Sequence, residues 1–456
     1  MLSFNSNIIP KRKGAYIVGG SVRDILAQRV PNDYDFAVKE KPKEYAQEIA
    51  KKNNGHVIKL GKPGLTLYRV SSQVGIFDIS PMVGNSIEED LRGRDFTINS
   101  MAMEIATGKL IDPLNGLKDI ENKQIRMVSE EAFHKDPIRL LRAYRIAAHF
   151  NFDIEPATSA SILKNRQLIN NSAAERIHSE LIKTLETENS FKYLKSITSN
   201  RLLFEIIPEL SSLEGCGQNK YHNFDVFDHT LSAYGHLEGL LSNSGRYLGT
   251  IEETAPKLNP KNGLIKFAIL LHDIGKPATK TIDKGNIHFY NHERTGAEIA
   301  EKICDRIKTS IVEKKYISHI IKNHLRPLSL YSENKRKKVS KKTKVKFFVN
   351  CKNNTPDIIL HAIADDMGKS GNYNGPSADF PSFARELIHD YYKNFIPVNT
   401  SLPLITGDDL IREFSLQPSP FFKTILDRVR GARLEGAITT KDEALDMIKV
   451  ILKDTK

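Results

Sequence analysis

The sequence contains few cysteines and no long apolar run, and each absence excludes a class of protein. The cysteines among the 456 residues are Cys216, Cys304 and Cys351. Such a small, odd number indicates reduced thiols and not a disulfide framework or a zinc site. No segment approaches the roughly 18 apolar residues of a membrane-spanning helix, and the first residues lack the apolar core of a signal peptide. We therefore expect a cytoplasmic protein without a membrane partner.

Acidic residues are also fewer than basic ones: 55 Asp and Glu against 67 Lys and Arg give a net charge of +12. A protein this basic often binds polyanions, so nucleic acid is a candidate partner, and a solvated lysine-rich surface is the alternative. Internal repeats are absent, and the length predicts two to four domains.

One basic run stands out, and its members are Lys335, Arg336, Lys337, Lys338, Lys341, Lys342, Lys344 and Lys346. Such a run is either an RNA-contacting patch or a disordered basic loop. The sequence leaves both alternatives open.

A glycine turn between two predicted strands is the first motif that suggests chemistry. Residues 16–18 form a predicted buried strand, Gly19 and Gly20 a turn, residues 21–27 a short helix, and residues 33–38 a second strand. Glycine lets the backbone approach a phosphate closely, and the start of the helix offers free amides. The turn is therefore suited to a phosphate, although a plain structural turn is the alternative.

Two carboxylates on the second strand suggest that a metal ion accompanies the phosphate. Asp33 and Asp35 are two residues apart, so a strand presents both on one face, where they repel unless a cation lies between them. Mg²⁺ prefers such oxygen ligands together with substrate phosphates, and Arg23 would add a charged contact. The segment predicts a nucleoside triphosphate held on metal. Asp78, on a later predicted strand, is either a third ligand or a surface residue.

Arg94, Asp95 and Asn99 end an amphipathic stretch that begins at Ser86. An arginine can fork onto phosphate oxygens, and an asparagine offers a donor and an acceptor to a sugar or base. These residues are candidates for nucleotide binding. An ordinary capped helix with surface charges would look similar.

A predicted helix after Asp136 carries arginines on one face. Asp136 is a favourable N-cap and Pro137 a favourable first residue, so we expect the helix to begin there. Arg139, Arg142 and Arg145 recur every third residue and share a face, where they require acidic neighbours, a triphosphate or RNA. Arg142 could reach phosphate, while Asp136 with Arg139 could match the Watson–Crick edge of a base.

A second set of metal-binding residue types lies further along the chain. His229 falls on one predicted helix, His272 and Asp273 end a very apolar helix, and Asp365 falls on a third. A lone histidine is usually a core residue, but a His-Asp pair with further His and Asp on separate helices is typical of a metal centre. Additional candidate ligands are His288, His292 and His324.

We predict an α+β fold in which a small head precedes an all-helical body. Short strands and helices alternate up to about residue 124, and the pattern beyond is helical. The predicted domains are a catalytic head (1–124), a helical neck that recognises nucleotide and RNA (125–215), a metal-binding domain (216–395) and a helical tail (396–456).

These residues together resemble the class II tRNA nucleotidyltransferase family, the CCA-adding enzymes and bacterial poly(A) polymerases of the polymerase-β superfamily. The match covers nearly the whole chain. Its motifs are Gly19-Gly20-x-x-Arg23 with Asp33-x-Asp35, Arg94-Asp95 through Asn99, Asp112-Pro-x-x-Gly116, and Asp136-x-x-Arg139. Two positions depart from the family: Gly93 replaces an Arg, and Lys135 replaces a Glu that helps to orient the motif's last Arg.

The resemblance implies a polymerase-β-like head that adds CTP or ATP to the 3′ end of tRNA without a template. Asp33 and Asp35 would be the catalytic ligands of Mg²⁺. The implied nucleotide-binding residues are Gly19, Gly20, Arg23, Arg94, Asp95, Asn99, Asp136, Arg139 and Arg142. Residues 216–395 resemble an HD-type phosphohydrolase domain, and the implied ligands of its divalent metal are His229, His272, Asp273 and Asp365.

Products differ within this family, and the sequence does not choose among CCA, CC and A addition to tRNA. A poly(A) polymerase is an alternative, disfavoured because an obvious Arg-rich extension is absent. Another alternative is an HD phosphohydrolase whose head only binds RNA or nucleotide. A purely structural RNA-binding protein would leave Asp33 and Asp35 without a purpose.

Overall fold

The computed structural model describes residues 7–31, 33–61, 66–218, 224–242, 262–369 and 379–454. The chain divides into two compact units, Met1–Pro208 and Glu209–Lys456.

A seven-stranded mixed sheet forms the core of the first unit. Its strands are β1 (Ala15–Val18), β2 (Asp33–Val38), β3 (His56–Leu60), β4 (Leu67–Ser72), β5 (Gly75–Pro81), β6 (Ala102–Glu104) and β7 (Leu110–Ile111). The strand order β3-β4-β5-β2-β1-β6-β7 places β2 at the centre. Strand β2 pairs antiparallel with β1 and parallel with β5, in a register that sets Asp35 opposite Asp78.

Side-chain alternation along β2 separates the core from the candidate site. Tyr34 and Phe36 are buried and pack with Phe77 of β5, and burying a ring of this size contributes roughly 1.5–3 kcal/mol. Asp33 and Asp35 point the other way and are exposed. The helices Gly20–Leu26 and Pro42–Lys52 pack on the same core cluster, so the carboxylates remain on the uncovered side of the strand.

Shorter elements complete the first unit. Its other helices are Ile87–Arg92, Gly116–Glu121, Glu131–Lys135, Arg139–Phe150, Pro156–Asn165, Ala174–Leu185, Ser190–Ser199 and Leu202–Ile206, with 3-10 turns at Thr97–Asn99 and Arg166–Asn171. The short strands Gln124–Ile125 and Asp153–Ile154 pair in parallel. The helix predicted to begin at Pro137 begins instead at Arg139, because Asp136 is the extended residue that ends the preceding helix.

The second unit is built almost entirely of helices. The α-helices in its described part are Val226–Ser242, Asn262–Leu271, Lys276–Thr279, His292–Arg306, Ile311–Asn323, Arg326–Arg336, Lys341–Cys351, Thr355–Met367, Asp379–Asp390, Ile396–Thr400, Gly407–Phe414, Pro420–Glu435 and Lys441–Lys453, with a 3-10 turn at Lys352–Asn354 and a π-helix at Tyr391–Phe395. One hairpin, Lys280–Asp283 with Asn286–Phe289, interrupts them. Its two-residue turn has positive φ at Lys284 and Gly285, which suits the twist of a tight hairpin. The predicted α+β class with a helical body is thus confirmed.

Two further expectations concern thiols and the basic run. The three cysteines are free and buried. The basic run spans the end of the helix Arg326–Arg336, the connection that contains Lys337 and Lys338, and the start of the helix Lys341–Cys351, so most of it is helical and not a disordered loop. Its residues are exposed except for Lys344, which pairs with Asp390. No helix in the described ranges is long and apolar enough to cross a membrane.

Candidate active site and candidate metal centre

Ser21 ties the glycine turn to the strand that carries the carboxylates. Its hydroxyl donates to the backbone carbonyl of Asp33 at 3.0 Å and accepts from the backbone N–H of Asp35 at 2.8 Å. Gly19 has a φ of 66°, and an added Cβ would lie 2.7 Å from Nη1 of Arg94. The turn therefore requires glycine both for its conformation and for the close approach of the guanidinium.

Asp33 and Asp35 form an exposed carboxylate pair at this turn. The pKa of Asp35 is raised to about 6, because surrounding protein atoms desolvate its carboxylate and Asp78 and Asp33 repel its charge. Arg94 and Arg142 oppose the shift. A cation between the two carboxylates would remove the repulsion, which fits the predicted metal site.

Asp78 is neither a free surface residue nor a free ligand. It is buried beside Asp35, and Arg69 donates to its two oxygens at 2.8 and 2.7 Å. Asp33 and Asp35 are thus left as the available pair. Two carboxylates completed by substrate phosphates are the usual protein contribution to a Mg²⁺ site.

Four of the predicted nucleotide-binding residues form one polar network. Arg23 donates to Oδ1 of Asn99 at 2.7 Å, and Asn99 donates to Oδ1 of Asp95 at 2.9 Å. Oδ2 of Asp95 lies 3.2 Å from Nε of Arg142. Asp95 and Asn99 are buried, and the side chains of Arg23 and Arg142 are 12% and 39% exposed. Because its side chain is the most exposed of the four, Arg142 is best placed to contact a ligand. Asp95 orients it, and Asn99 and Arg23 in turn hold Asp95.

The charge state of this network follows from its contacts. Burial alone would raise the pKa of Asp95, but Arg142, the Asn99 amide and the backbone N–H of Phe96 outweigh it and hold the pKa below its usual value. Asp95 stays ionised and anchors Arg142. Similarly, Arg94 is held by Oδ1 of Asp90 at 3.1 and 2.8 Å, which directs its Nη1 towards Gly19 and Asp35.

Backbone carbonyls orient Arg139 in the absence of the family glutamate. Its Nη1 lies 3.4 Å from the carbonyl oxygen of Gly93, 3.2 Å from that of Arg94 and 3.4 Å from that of Ala132. Lys135, at the glutamate position, is exposed. The orientation of Arg139 therefore does not require an acidic residue at 135.

Asp136 is engaged by a residue that the sequence did not assign to the site. Arg176 donates from Nη1 and Nη2 to its two oxygens, each at 2.8 Å. The two residues are 40 positions apart, so no local spacing links them. On the arginine face, Arg142 pairs with Asp95 and Arg145 pairs with Glu180, so acidic neighbours neutralise two of the three arginines.

The second unit brings the predicted metal ligands together in its interior. Nε2 of His229 lies 2.9 Å from Oδ1 of Asp365 and 3.5 Å from Oδ2 of Asp273. Nε2 of His272 lies 3.2 Å from the same oxygen of Asp273 and 3.5 Å from that of Asp365. The exposure of these four residues does not exceed 4%, so the centre is enclosed.

Two buried carboxylates in this centre require positive charge. Burial would raise the pKa values of Asp273 and Asp365, but neighbouring groups hold both well below the usual range: His272 and Lys276 for Asp273, and His229, His272 and Lys369 for Asp365. The same contacts outweigh the effect of burial on His272 and raise its pKa to about 10. Nε2 of His272 has no hydrogen-bond partner among the described residues, while Oδ2 of Asp273 lies 2.6 Å from Nζ of Lys276. A divalent ion between the two carboxylates and Nε2 of His272 would add positive charge and supply the missing contact, so the residues fit a metal.

The three additional candidate histidines separate into two groups. His292 and His324 are buried at the centre, with Nε2 of His292 3.4 Å from Oδ1 of Asp273. The pKa of His324 is lowered to about 3 by burial and by the charge on His272. His288 instead lies on the hairpin, stacked on Tyr290.

Three family models match this chain. The poly A polymerase head domain matches residues 15–126, and the probable RNA- and SrmB-binding site of polymerase A matches residues 151–213. The HD domain matches residues 226–369.

Relatives of known name align with most of the chain. An A-adding tRNA nucleotidyltransferase of Deinococcus radiodurans is 28% identical, covering 98% of this chain and 97% of the relative. A CC-adding tRNA nucleotidyltransferase of Thermus thermophilus is 27% identical over 95% and 92%. A multifunctional CCA protein of Stenotrophomonas maltophilia is 31% identical over 68% and 75%.

Solved structures share the fold. A CCA-adding enzyme in complex with CTP has a TM-score of 0.65 and 23% identity, covering 96% of this chain and 91% of that one. The Thermotoga maritima CCA-adding enzyme complexed with tRNA has a TM-score of 0.63 and 21% identity over the same shares. The chain therefore belongs to the class II tRNA nucleotidyltransferase and bacterial poly(A) polymerase family, in a form that carries an HD domain.

Proposed function

We propose that this chain is a cytoplasmic tRNA nucleotidyltransferase, which adds CTP, ATP or both to the 3′ end of tRNA as a CCA-, CC- or A-adding enzyme. The observation that carries the proposal is the exposed pair Asp33 and Asp35 beside the Gly19 turn. Membership of a family whose named relatives add nucleotides to tRNA supports it. The proposed division of work is a head (1–124), a recognition and RNA-binding neck (125–215), an HD domain (216–395) and a tail (396–456).

Asp33 and Asp35 would hold Mg²⁺. Mg²⁺ held by these residues would supply the positive charge that activates an RNA 3′-hydroxyl towards the α-phosphate and stabilises the pyrophosphate leaving group. The chain's own contribution is positioning. Gly19 admits the guanidinium of Arg94, which would contact the triphosphate, and the Asp95 carboxylate holds Arg142, which would reach a phosphate.

Asp136 and Arg139 would read the base. A carboxylate accepts and a guanidinium donates, so together they can match the Watson–Crick edge of cytosine or adenine. Arg139 is fixed by three carbonyl oxygens and Asp136 by Arg176. A rigid pair of this kind provides selection in a protein that has no template.

The product is assigned by supplying tRNA that ends at the discriminator base, at CC or at CCA, with each labelled nucleotide in turn. We expect labelled CTP or ATP, and not UTP or GTP, to enter an incomplete end, and the complete CCA end to stay unextended. Extension of the complete end by many adenylates would favour a poly(A) polymerase instead. The proposal would be contradicted if no labelled nucleotide entered either of the incomplete ends.

A second activity is favoured by the enclosed His and Asp cluster. We propose that His229, His272, Asp273 and Asp365 hold a divalent metal and that the HD domain hydrolyses phosphate esters such as 2′,3′-cyclic phosphates or nucleotides. A divalent ion held by these residues would lower the pKa of water for attack on phosphorus and would polarise the phosphoryl oxygen. Hydrolysis of a blocked RNA end followed by extension would join the two activities.

A further inference from the structure

The basic run of the second unit lies on a corner between two helices. Val339, in the connection between them, is 4% exposed. Its backbone N–H donates to Oδ1 of Asn334 at 3.1 Å, and the hydroxyl of Ser340 accepts from the backbone N–H of Thr343 at 3.1 Å. These contacts give the basic side chains a defined framework.

Two members of the run contact neighbouring helices. Nζ of Lys344 lies 2.5 Å from Oδ2 of Asp390. A Cβ added to Gly436 would lie 2.4 Å from Nζ of Lys341, so this ammonium group lies at the carboxyl end of the helix Pro420–Glu435, where a cation is favourable. The other members are exposed, and among the described carboxylates none forms an ion pair with them. This basic surface consists of Lys335, Arg336, Lys337, Lys338, Lys342 and Lys346.

The first turn of the helix Lys341–Cys351 is an unfavourable place for cations. Lys341, Lys342 and Lys344 lie among its first four residues, and no acidic residue accompanies them in that turn. Because the start of a helix carries a partial positive charge, these ammonium groups are repelled by the helix as well as by one another. The stability of the fold does not account for such a concentration of lysines, whereas a polyanion that contacts several of them would.

The side chains around the basic surface favour a phosphate backbone over other anionic partners. The apolar residues of the helix Lys341–Cys351 are buried except for Val349, so the helix offers no apolar face to a membrane. Phe347 and Phe348 are among the buried residues, so no ring of this fully described helix can stack on an unpaired base. Lysines bind phosphates as point charges without reading sequence. Double-helical RNA is recognised mainly through its shape and backbone, which is the kind of contact that this surface can make.

We propose that the basic surface binds the phosphate backbone of a double-helical part of tRNA. The surface lies within residues 226–369, which the HD domain model matches, and outside residues 151–213, which the RNA-binding model matches. The HD domain thereby adds an RNA contact to that of the neck. The choice of tRNA as the RNA rests on the proposed function, whereas the contact with duplex phosphates does not.

The test measures how salt weakens RNA binding by the full-length protein. The probe is a labelled tRNA transcript that ends at the discriminator base, titrated by fluorescence anisotropy between about 50 and 200 mM salt. Each phosphate contact contributes roughly 0.7–0.9 to the slope of log K against log salt concentration. In the combined surface variant Lys337→Gln, Lys342→Gln and Lys346→Gln, we expect the slope to fall by about 2 and the affinity at low salt to fall about tenfold. Lys337→Arg, Lys342→Arg and Lys346→Arg together should preserve both.

A control variant removes the same charge from the first unit. It combines Lys43→Gln, Lys51→Gln and Lys52→Gln on the helix Pro42–Lys52, where these lysines are exposed, and it should leave the slope unchanged. Thermal unfolding of the surface variant should match or exceed that of the wild type, because Lys342→Gln removes a cation from the start of a helix. This measurement distinguishes a lost RNA contact from a lost fold.

The outcomes separate this proposal from the proposed nucleotide addition. An unchanged slope in the surface variant, or an equal loss in the control variant, would overturn the RNA contact without affecting the assignment of the head. Loss of binding to phosphatidylserine vesicles with full retention of tRNA binding would identify a membrane contact and would also overturn it. If the slope falls as expected but the wild type incorporates no nucleotide, the proposed function fails and the RNA contact stands.

Discussion

Arg176 fixes the carboxylate that is proposed to read the base. Its two nitrogens engage both oxygens of Asp136 in parallel, each at 2.8 Å. Each carboxylate oxygen can accept more than one hydrogen bond, so Asp136 can still accept from a base while the fork fixes its plane. Arg176 is therefore a positioning residue for nucleotide selection.

We expect Arg176→Ala to reduce the preference for CTP or ATP over the excluded nucleotides by roughly tenfold, or about 1.4 kcal/mol. The free energy of unfolding should change by about 1 kcal/mol or less, because both side chains are partly exposed and exposed ion pairs contribute little. Competition between labelled nucleotides measures the first quantity and thermal unfolding the second. Arg166→Ala, which removes the ion pair with Glu205, is the matched control, and unchanged selectivity in Arg176→Ala would refute the positioning role.

Residue identities in the head were predictable to different degrees. Asp33 and Asp35 could be placed on one face because strand alternation depends only on spacing two. Spacing along the chain could not reveal the residues that hydrogen-bond to Asp35 and Asp136. Ser21 is 14 positions from Asp35, and Arg176 is 40 positions from Asp136. Those contacts depend on strand register and helix packing, which local patterns do not encode.

The helix His292–Arg306 packs directly against the turn at Gly275. An added Cβ on Gly275 would lie 2.3 Å from the carbonyl oxygen of His292 and 2.5 Å from the backbone nitrogen of Gly296. The turn follows His272 and Asp273, and the helix begins with His292. This close backbone contact therefore holds His292 beside the His272–Asp273 pair of the proposed metal centre.

We expect Gly275→Ala to lower the free energy of unfolding of the second unit by about 1–3 kcal/mol, since backbone atoms must move to admit the methyl group. Binding of divalent metal to the HD centre should weaken as His292 moves away from Asp273. Gly239→Ala is the control, because a Cβ there meets nothing within 4 Å and alanine favours a helix by about 0.5–1 kcal/mol. Denaturant unfolding and metal titration of both variants provide the measurements, and equal stabilities would be inconsistent with the close contact.

Element boundaries followed from sequence where one periodicity dominated. The strand predicted over residues 33–38 is observed as Asp33–Val38. The helix after Asp136 began two residues late, because its first turn is closed by bonds from Arg139 to Asp136 and from Leu140 to Pro137. A capping signal does not reveal that the same residue terminates the helix before it.

Each of the two units has its own hydrophobic core and its own candidate site. The first unit places two carboxylates on an exposed strand, where solvent reaches them, and the second unit encloses its His and Asp cluster between helices. The change from alternating strands to a helical pattern predicted this contrast. The number of histidines that converge on Asp273 was not predictable, because it depends on how separate helices pack.

The separation predicts independent loss of the two activities. We expect His272→Ala to abolish phosphohydrolase activity while nucleotide addition to tRNA stays within about twofold of the wild type. The variant removes a proposed metal ligand whose Nε2 lies 3.2 Å from Asp273 and 3.5 Å from Asp365. His288→Ala, outside the cluster, should retain both activities. If His272→Ala kept its phosphohydrolase activity, the proposed role of the HD domain would be wrong, and the proposed nucleotide addition by the head would be unaffected.

The central claim is that Asp33 and Asp35 carry nucleotide addition. The most direct test measures how much labelled CTP and ATP the Asp33→Asn and Asp35→Asn variants of the protein incorporate into tRNA. Asparagine keeps the shape of the side chain but removes the negative charge that a metal ion requires. We predict that incorporation is abolished in each variant, while circular dichroism and thermal unfolding match the wild type. Asp153→Asn, at an exposed carboxylate of the same unit, should remain fully active. Full incorporation by either Asp33→Asn or Asp35→Asn would contradict the account.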